Sequence, residues 1–128
     1  MIQSLFQIVS NECIARNTYK MVLSGDVSSI NRPGQFVNIK LKGFFLRRPI
    51  SVCDIDRSEN TLTIVYKVVG KGTEFMSRLP MNEQLDVLVG LGNGYDTSLC
   101  GEHPLLIGGG AGVPPMFLLA KQLISEGK

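Results

Sequence analysis

Residues 61–69 read Thr-Leu-Thr-Ile-Val-Tyr-Lys-Val-Val, and this stretch decides the fold class. It is rich in β-branched residues, and Leu62, Ile64, Tyr66 and Val68 occupy every second position. A period of two is typical of a strand with one buried face, because successive side chains of a strand point to opposite sides. We therefore predict a β-strand here, with these four side chains turned toward a core.

Other short runs of the same character precede and follow this stretch. In residues 35–41, Val37, Ile39 and Leu41 again take alternate positions. Short strands at close intervals, separated by Gly, Pro, Asn and Asp, are typical of an antiparallel barrel or sandwich. The further predicted strands cover residues 5–9, 19–23, 35–41, 49–53 and 86–89, and one short helix covers residues 73–79, where Pro80 ends it.

The pattern changes after Gly101. Residues 105–107 read as a short buried strand, residues 108–112 are Gly-Gly-Gly-Ala-Gly, and residues 113–124 have apolar side chains at helical spacing. A strand, a glycine loop and a helix form the opening unit of a nucleotide-binding α/β domain. We predict a β-barrel over residues 1–101 and the first β–α unit of such a domain over residues 102–128.

Composition narrows the class of protein. The 128 residues, of which 44% are hydrophobic, suffice for one core. A net charge of +2, with a single pair of adjacent arginines and no lysine run, is less basic than a nucleic-acid-binding protein usually is. The longest charge-free stretch, residues 104–120, is broken by glycines and prolines, so we predict no membrane anchor.

The cysteines and the histidine argue against several kinds of site. Cys13, Cys53 and Cys100 are scattered and odd in number, which disfavours a disulfide framework, a metal site or a complete iron–sulfur site. The start of the chain also lacks the pattern of a secretory signal, so we predict a cytoplasmic protein. His103 is the only histidine and precedes a proline, so no catalytic triad is predicted.

Residues 46–51, Leu-Arg-Arg-Pro-Ile-Ser, form the first candidate site. A guanidinium group matches phosphate oxygens in two-point geometry. Pro49 fixes the backbone that follows it, and the Ser51 hydroxyl can hydrogen-bond a ring nitrogen. Taken alone, these residues could equally be an exposed arginine pair on a loop.

The second candidate is the segment from Val65 to Thr73. Gly70 and Gly72 allow close approach of the backbone to a ligand, and the amides of Gly72 and Thr73 open a helix, where anions are favoured. Tyr66 could stack on a flat ring or simply pack in the core. An ordinary capped helix after a strand is the open alternative.

The glycine loop at residues 108–112 is the third candidate. Glycines between a strand and a helix allow the backbone to approach a pyrophosphate. The spacing is not Gly-x-Gly-x-x-Gly, so a plain turn stays open.

Together these elements, in this order, resemble the ferredoxin–NADP reductase superfamily. Within it, the chain is most similar to the electron-transfer subunits of bacterial NAD-dependent dihydroorotate dehydrogenases. The residues that carry the resemblance are 47–51, 72–73, Leu91-Gly92-Asn93-Gly94-Tyr95 and Gly112-Val113-Pro114-Pro115-Met116. It covers nearly the whole chain and implies a six-stranded antiparallel Greek-key barrel that binds FAD.

The resemblance also implies residue roles. Arg48 would hold the FAD pyrophosphate, and Ser51 would lie near the hydride-accepting nitrogen of the flavin. FAD binding is implied for Arg48, Pro49, Ile50, Ser51, Val65, Tyr66, Lys67, Gly72 and Thr73, and the start of an NAD site for Gly108, Gly109, Gly110 and Gly112. Many superfamily members have a tyrosine where Ile50 stands, which implies weaker stacking at that position.

A partner and a reaction follow from the same resemblance. Electrons would pass from the FMN of a dihydroorotate-oxidising subunit, through a two-iron two-sulfur cluster, to this FAD and then to NAD. None of the three cysteines matches a cluster ligand, so we predict the cluster in a C-terminal part beyond residue 128. A reductase subunit of another flavoprotein complex and a non-catalytic barrel that binds a protein or an oligonucleotide are the alternatives.

Overall fold

The computed structural model describes residues 1–128, which form six strands, two α-helices and two 3₁₀ turns. The strands are β1 (Ile2–Ala15), β2 (Thr18–Ser24), β3 (Phe36–Ile39), β4 (Arg48–Asp56), β5 (Thr61–Lys67) and β6 (Gln84–Leu91). The helices are α1 (Lys71–Ser77) and α2 (Val113–Ser125). The 3₁₀ turns are Thr97–Leu99 and Gly110–Gly112.

The six strands close into an antiparallel barrel in the order β1-β2-β5-β4-β3-β6. Strands β3, β4 and β5 follow one another, and β6 returns beside β3, which is a Greek-key arrangement. Strand β1 closes the barrel because residues 2–7 pair with β6 and residues 7–15 pair with β2. The predicted six-stranded Greek-key barrel is confirmed, and closure leaves it without an unpaired edge strand.

The barrel interior is filled by the side chains that alternate along the strands. Leu62, Ile64 and Tyr66 are buried as predicted, whereas Val68 lies beyond the end of β5 and is only half-buried. The other members of the core cluster are Phe6, Ile8, Met21, Leu23, Val27, Ile30, Val37, Ile39, Leu41, Val52, Met76, Leu85, Val87 and Val89.

Helix α1 begins and ends two residues earlier than predicted. Gly70 is its N-cap, and the Thr73 hydroxyl accepts the amides of Val69 at 2.9 Å and Gly70 at 3.2 Å. Thr73 therefore caps the helix from inside its first turn. The buried Met76 side chain attaches α1 to the barrel core.

Helix α2 packs against β4 on the outside of the barrel and lies where it was predicted. Leu119 and Leu123 are buried, and Lys121 Nζ lies 2.7 Å from Asp54 Oδ1. None of the helices has the length and apolar character needed to cross a membrane.

The strand predicted at residues 105–107 does not form. Leu105 and Ile107 are 83% and 82% exposed. A strand needs a neighbour for its backbone hydrogen bonds, and the barrel strands pair only with one another. The division of the chain at residue 101 stays a prediction.

Two leucine-to-alanine changes test which strand faces support the fold. Leu62→Ala removes a fully buried side chain and should lower the free energy of unfolding by about 2–5 kcal/mol. Leu5→Ala, at a 62% exposed position of β1, should change it by less than about 0.5 kcal/mol. Urea denaturation measures both values, and equal losses would contradict the assignment of the faces.

Candidate functional site

A cleft opens where β4 separates from β5. The register between these strands runs only as far as Val52 opposite Ile64. Beyond that pair, residues 48–51 have their partners in β3, and residues 65–67 have theirs in β2. The resulting cleft has a volume of about 560 Å³ and is lined by Thr18, Pro49, Ile50, Ser51, Val65, Tyr66, Lys67, Val69, Thr73, Gly110, Ala111, Val113 and Pro114.

Most of the predicted site residues meet in this cleft. It is lined by Pro49, Ile50, Ser51, Val65, Tyr66, Lys67, Thr73 and Gly110. Arg48 and Gly72 adjoin it, because they neighbour Pro49 and Thr73 along the chain. Gly108, Gly109 and Gly112 do not line the cleft, although their loop borders it through Gly110.

Arg48 lies directly over the first turn of α1. A methyl group built on Gly72 would overlap the Arg48 guanidinium, which therefore occupies the space that a side chain at position 72 would take. Below it, the Phe44 ring has its centroid 5.3 Å from Arg48 Cζ, a cation–π distance. Phe44 in turn packs against Phe75 of α1, with ring centroids 5.6 Å apart.

The surroundings of Arg48 leave its charge without a carboxylate partner. The guanidinium donates to the Leu46 carbonyl and forms no salt bridge. The nearby amides of Lys71, Gly72 and Thr73 belong to the first turn of α1, where backbone donors have no acceptor within the helix. This end of the cleft therefore combines a free cation with free backbone donors, the chemistry that binds a phosphate.

Arg47 has a different role from its neighbour. Its guanidinium donates to the carbonyls of Asn38 and Asp86, each at 3.2 Å, and to the Asp86 carboxylate at 3.1 Å. Gln3 donates to the same carboxylate at 2.8 Å. Arg47 thus joins β3 to β6, Gln3 of β1 binds the same Asp86 carboxylate, and Arg47 does not line the cleft.

Tyr66 presents its ring to the cleft while its hydroxyl is held elsewhere. The hydroxyl donates to Asn11 Oδ1 at 2.7 Å, and the ring stacks on Tyr19 with centroids 5.8 Å apart. Burial raises the pKa of Tyr66 well above its ordinary value of 10.0, so the side chain stays neutral. Lys67 is exposed at the cleft and forms no salt bridge, which leaves it free for an anionic ligand.

The glycine loop approaches the cleft from the side of α2. Gly110 has φ of +55°, a left-handed conformation that glycine adopts without strain. A methyl group built on Gly108 would lie 3.0 Å from the Gly112 carbonyl oxygen and 3.1 Å from the Met116 side chain. The loop is therefore folded tightly onto the start of α2, with Gly110 and Ala111 facing the cleft.

The cleft suits binding of a flat ring with an attached phosphate. Its lining is largely apolar, Lys67 is part of that lining, and Arg48 adjoins it. The exposed His103 is not among its lining residues. No group of three or more His, Cys, Asp or Glu side chains is placed to hold a metal ion.

Several residues of the site have no signature in the sequence. Phe44 supports Arg48 and Asn11 holds Tyr66, but an aromatic in a loop and a lone asparagine in a strand follow no pattern. Val69 and Ala111 line the cleft because of the conformation of the segments that contain them, which no sequence pattern indicates. The paired aromatics Phe44-Phe45, which directly precede the Leu46-Arg47-Arg48 stretch, were the one available hint.

The chain is similar to curated electron-transfer subunits of dihydroorotate dehydrogenase B (NAD(+)). It is 48% identical over 126 residues to the subunit from Fusobacterium nucleatum subsp. nucleatum, covering 94% of this chain and 49% of that protein. It is 43% identical over 133 residues to the subunit from a Geobacillus species, covering 99% and 52%. The chain thus spans about half the length of these relatives. No protein-family model matches it.

Solved structures show the same fold. An NADH-dependent reduced ferredoxin–NADP oxidoreductase superposes with a TM-score of 0.85 at 34% identity, over 97% of this chain and 45% of that one. Phthalate dioxygenase reductase superposes with a TM-score of 0.73 at 23% identity, over 98% and 40%, and shows the fold alone.

The Arg47–Asp86 pair should make stability depend on pH. Burial would raise the pKa of Asp86, but the hydrogen bonds from Gln3 and Arg47 outweigh it and lower that pKa below its ordinary value of 3.8. The ionised carboxylate therefore stabilises the fold at neutral pH, and this contribution is lost as the pH falls through the lowered pKa. Asp86→Asn should be less stable than the wild type at pH 7, and the difference should shrink below about pH 4.

Urea denaturation at several pH values measures this difference. In an Arg47→Ala background, Asp86→Asn should have a smaller effect at neutral pH, because one donor to the carboxylate is gone. A difference that stays constant from pH 7 to pH 2.5 would contradict the proposed stabilisation.

Proposed function

The chain belongs to the ferredoxin–NADP reductase superfamily, and we propose on this basis that it is the FAD-binding part of an electron-transfer subunit serving NAD-dependent dihydroorotate dehydrogenation, in pyrimidine biosynthesis. One observation carries the proposal. The Arg48 guanidinium lies over Gly72, so the two elements predicted to bind a diphosphate are in contact at one end of the cleft.

The cleft fits the parts of FAD. Its volume of about 560 Å³ lies within the usual range of small-molecule sites, about 300–1,000 Å³. Residues 49–51 and 65–67 supply two walls for a flat ring, and Arg48 with the amides of Gly72 and Thr73 supplies donors for phosphate oxygens. Tyr66 borders this ring site, with its own ring stacked on Tyr19.

Bound FAD would supply the ability to accept a hydride and to pass on single electrons. The residues of the chain bind, orient and shield it. The Ser51 hydroxyl can hydrogen-bond a ring nitrogen, and the apolar side chains of Ile50 and Val65 keep water from the ring. Gly110 and Ala111 border the same cleft, so a nicotinamide nucleotide bound by the glycine loop would enter from the side of α2.

The full subunit would need parts outside residues 1–128. We propose that these include a two-iron two-sulfur cluster and the remainder of the NAD site, and that the electron donor is an FMN-containing dihydroorotate-oxidising subunit. The subunit names of the curated relatives support such a hetero-oligomer. Cys13, Cys53 and Cys100 are free thiols, which supports our proposal of a reducing, cytoplasmic location.

A second candidate is the reductase subunit of another nicotinamide-linked complex. The 34% identity to an NADH-dependent reduced ferredoxin–NADP oxidoreductase favours it. Copurification of the native protein separates the two: an FMN-containing partner that oxidises dihydroorotate supports our choice. A partner that exchanges electrons with ferredoxin would overturn it.

Replacing Arg48 tests the diphosphate site. Arg48→Ala should weaken FAD binding by roughly 10- to 150-fold, because a charge-assisted hydrogen bond worth about 1.5–3 kcal/mol is lost. Riboflavin has no phosphate, so its affinity should change less than about threefold. Fluorescence titration of the flavin-free protein measures both affinities.

The matched control is Arg78→Ala. It also removes an arginine, but one that is exposed at the opposite end of α1 from Arg48. It should leave both affinities within about twofold. Equal weakening of FAD and riboflavin by Arg48→Ala would show that Arg48 does not contact the diphosphate.

Gly72→Ala separates ligand binding from stability. The added methyl group would displace the Arg48 guanidinium, which is the mobile end of a long side chain. Alanine is also the better helix former, by about 1 kcal/mol. We expect unchanged or higher stability in thermal unfolding together with weaker FAD binding in the same titration. Unaltered FAD affinity would contradict the proposed site.

A further inference from the structure

Asn11 connects the two sides of the cleft although it does not line it. It lies on β1, where its side-chain oxygen accepts the Tyr66 hydroxyl at 2.7 Å. Its side-chain nitrogen donates to the Met76 carbonyl at 2.9 Å and the Leu79 carbonyl at 3.1 Å. One amide thus joins the ring wall on β5 to the C-terminal end of α1.

The contacts on the α1 side hold the end of a short helix. The Met76 carbonyl also accepts the backbone amide of Leu79 at 3.2 Å, so Asn11 is an additional donor there, and through the Leu79 carbonyl it also holds the chain just beyond the helix. Helix α1 has seven residues, which corresponds to about 10 Å at the standard rise. A tilt at its C-terminal end therefore moves Gly72, over which Arg48 lies.

The contact on the Tyr66 side fixes a ring orientation. Tyr66 is 5% exposed, and its hydroxyl has Asn11 as its hydrogen-bond partner. Loss of that partner would leave a buried hydroxyl unsatisfied, which disfavours the present orientation of the ring.

We infer that Asn11 is a positioning residue that sets the spacing between the ring-binding wall and the diphosphate-binding end of the cleft. This inference rests on the proposed function. The asparagine amide suits the task because it accepts from Tyr66 and donates to α1 at the same time. Neither an aspartate nor an alanine can do both.

Two variants separate the contact of Asn11 with Tyr66 from its contacts with α1. Asn11→Asp keeps an acceptor for Tyr66 but loses the donor to Met76 and Leu79, so FAD affinity should fall about tenfold and riboflavin affinity less than about threefold. Tyr66→Phe keeps the contacts to α1 but frees the ring, so both affinities should fall by a similar factor. The visible absorption bands of the bound flavin should shift in Tyr66→Phe and not in Asn11→Asp.

A control and a second readout separate positioning from general destabilisation. Val87→Ala opens a cavity in β6 and should lower stability while leaving the ratio of FAD to riboflavin affinity unchanged. Hydrogen exchange of the α1 amides, measured without ligand, should be at least about tenfold faster in Asn11→Asp than in Val87→Ala.

The outcomes are distinct. An affinity ratio and an exchange rate in Asn11→Asp equal to those of Val87→Ala would overturn the role of Asn11. If Asn11→Asp does not fold, Asn11→Ala replaces it. This variant should lower the ratio of FAD to riboflavin affinity and should also shift the absorption bands of the bound flavin. Failure of the wild type to bind FAD would instead refute the proposed function, and the exchange measurement would still decide whether Asn11 holds α1.

Discussion

The separation of β4 from β5 beyond the Val52–Ile64 pair is the constraint on which the candidate site depends. In a closed barrel each strand pairs with two neighbours. Here the pairing of β4 with β5 stops short, while β4 stays paired with β3 and β5 stays paired with β2. The two strands can therefore diverge without losing their place in the barrel. The cleft arises from this divergence, and α1 follows β5 directly, so its first turn comes to lie at the end of the same opening.

The adjacent arginines at the start of β4 have different roles. Arg47, the last residue before β4, reaches Asp86 on β6, while Arg48, the first residue of β4, reaches α1. The first is neutralised by a carboxylate and contributes to stability. The second has no carboxylate partner, and its charge remains available to a ligand.

The sequence predicted the barrel well because its strands have a clear period of two and one continuous buried face. It also placed α2 correctly, from apolar spacing alone. It failed at residues 105–107, because an apolar run does not say whether a partner strand is present. It could not assign Arg47 and Arg48 to different partners, since Asp86 and Gly72 lie far from them along the chain. Asn11 was missed because its partners lie 55 to 68 residues away along the chain.

The attachment of α2 to β4 has a consequence for any reaction between two ligands. Helix α2 packs along β4, and the Lys121–Asp54 pair joins it to the same strand whose other end lines the cleft. The glycine loop leads directly into that helix, so its position depends on the same contacts. If a nicotinamide nucleotide binds at the loop as proposed, its distance from a ligand in the cleft is therefore governed by the packing of α2 on β4.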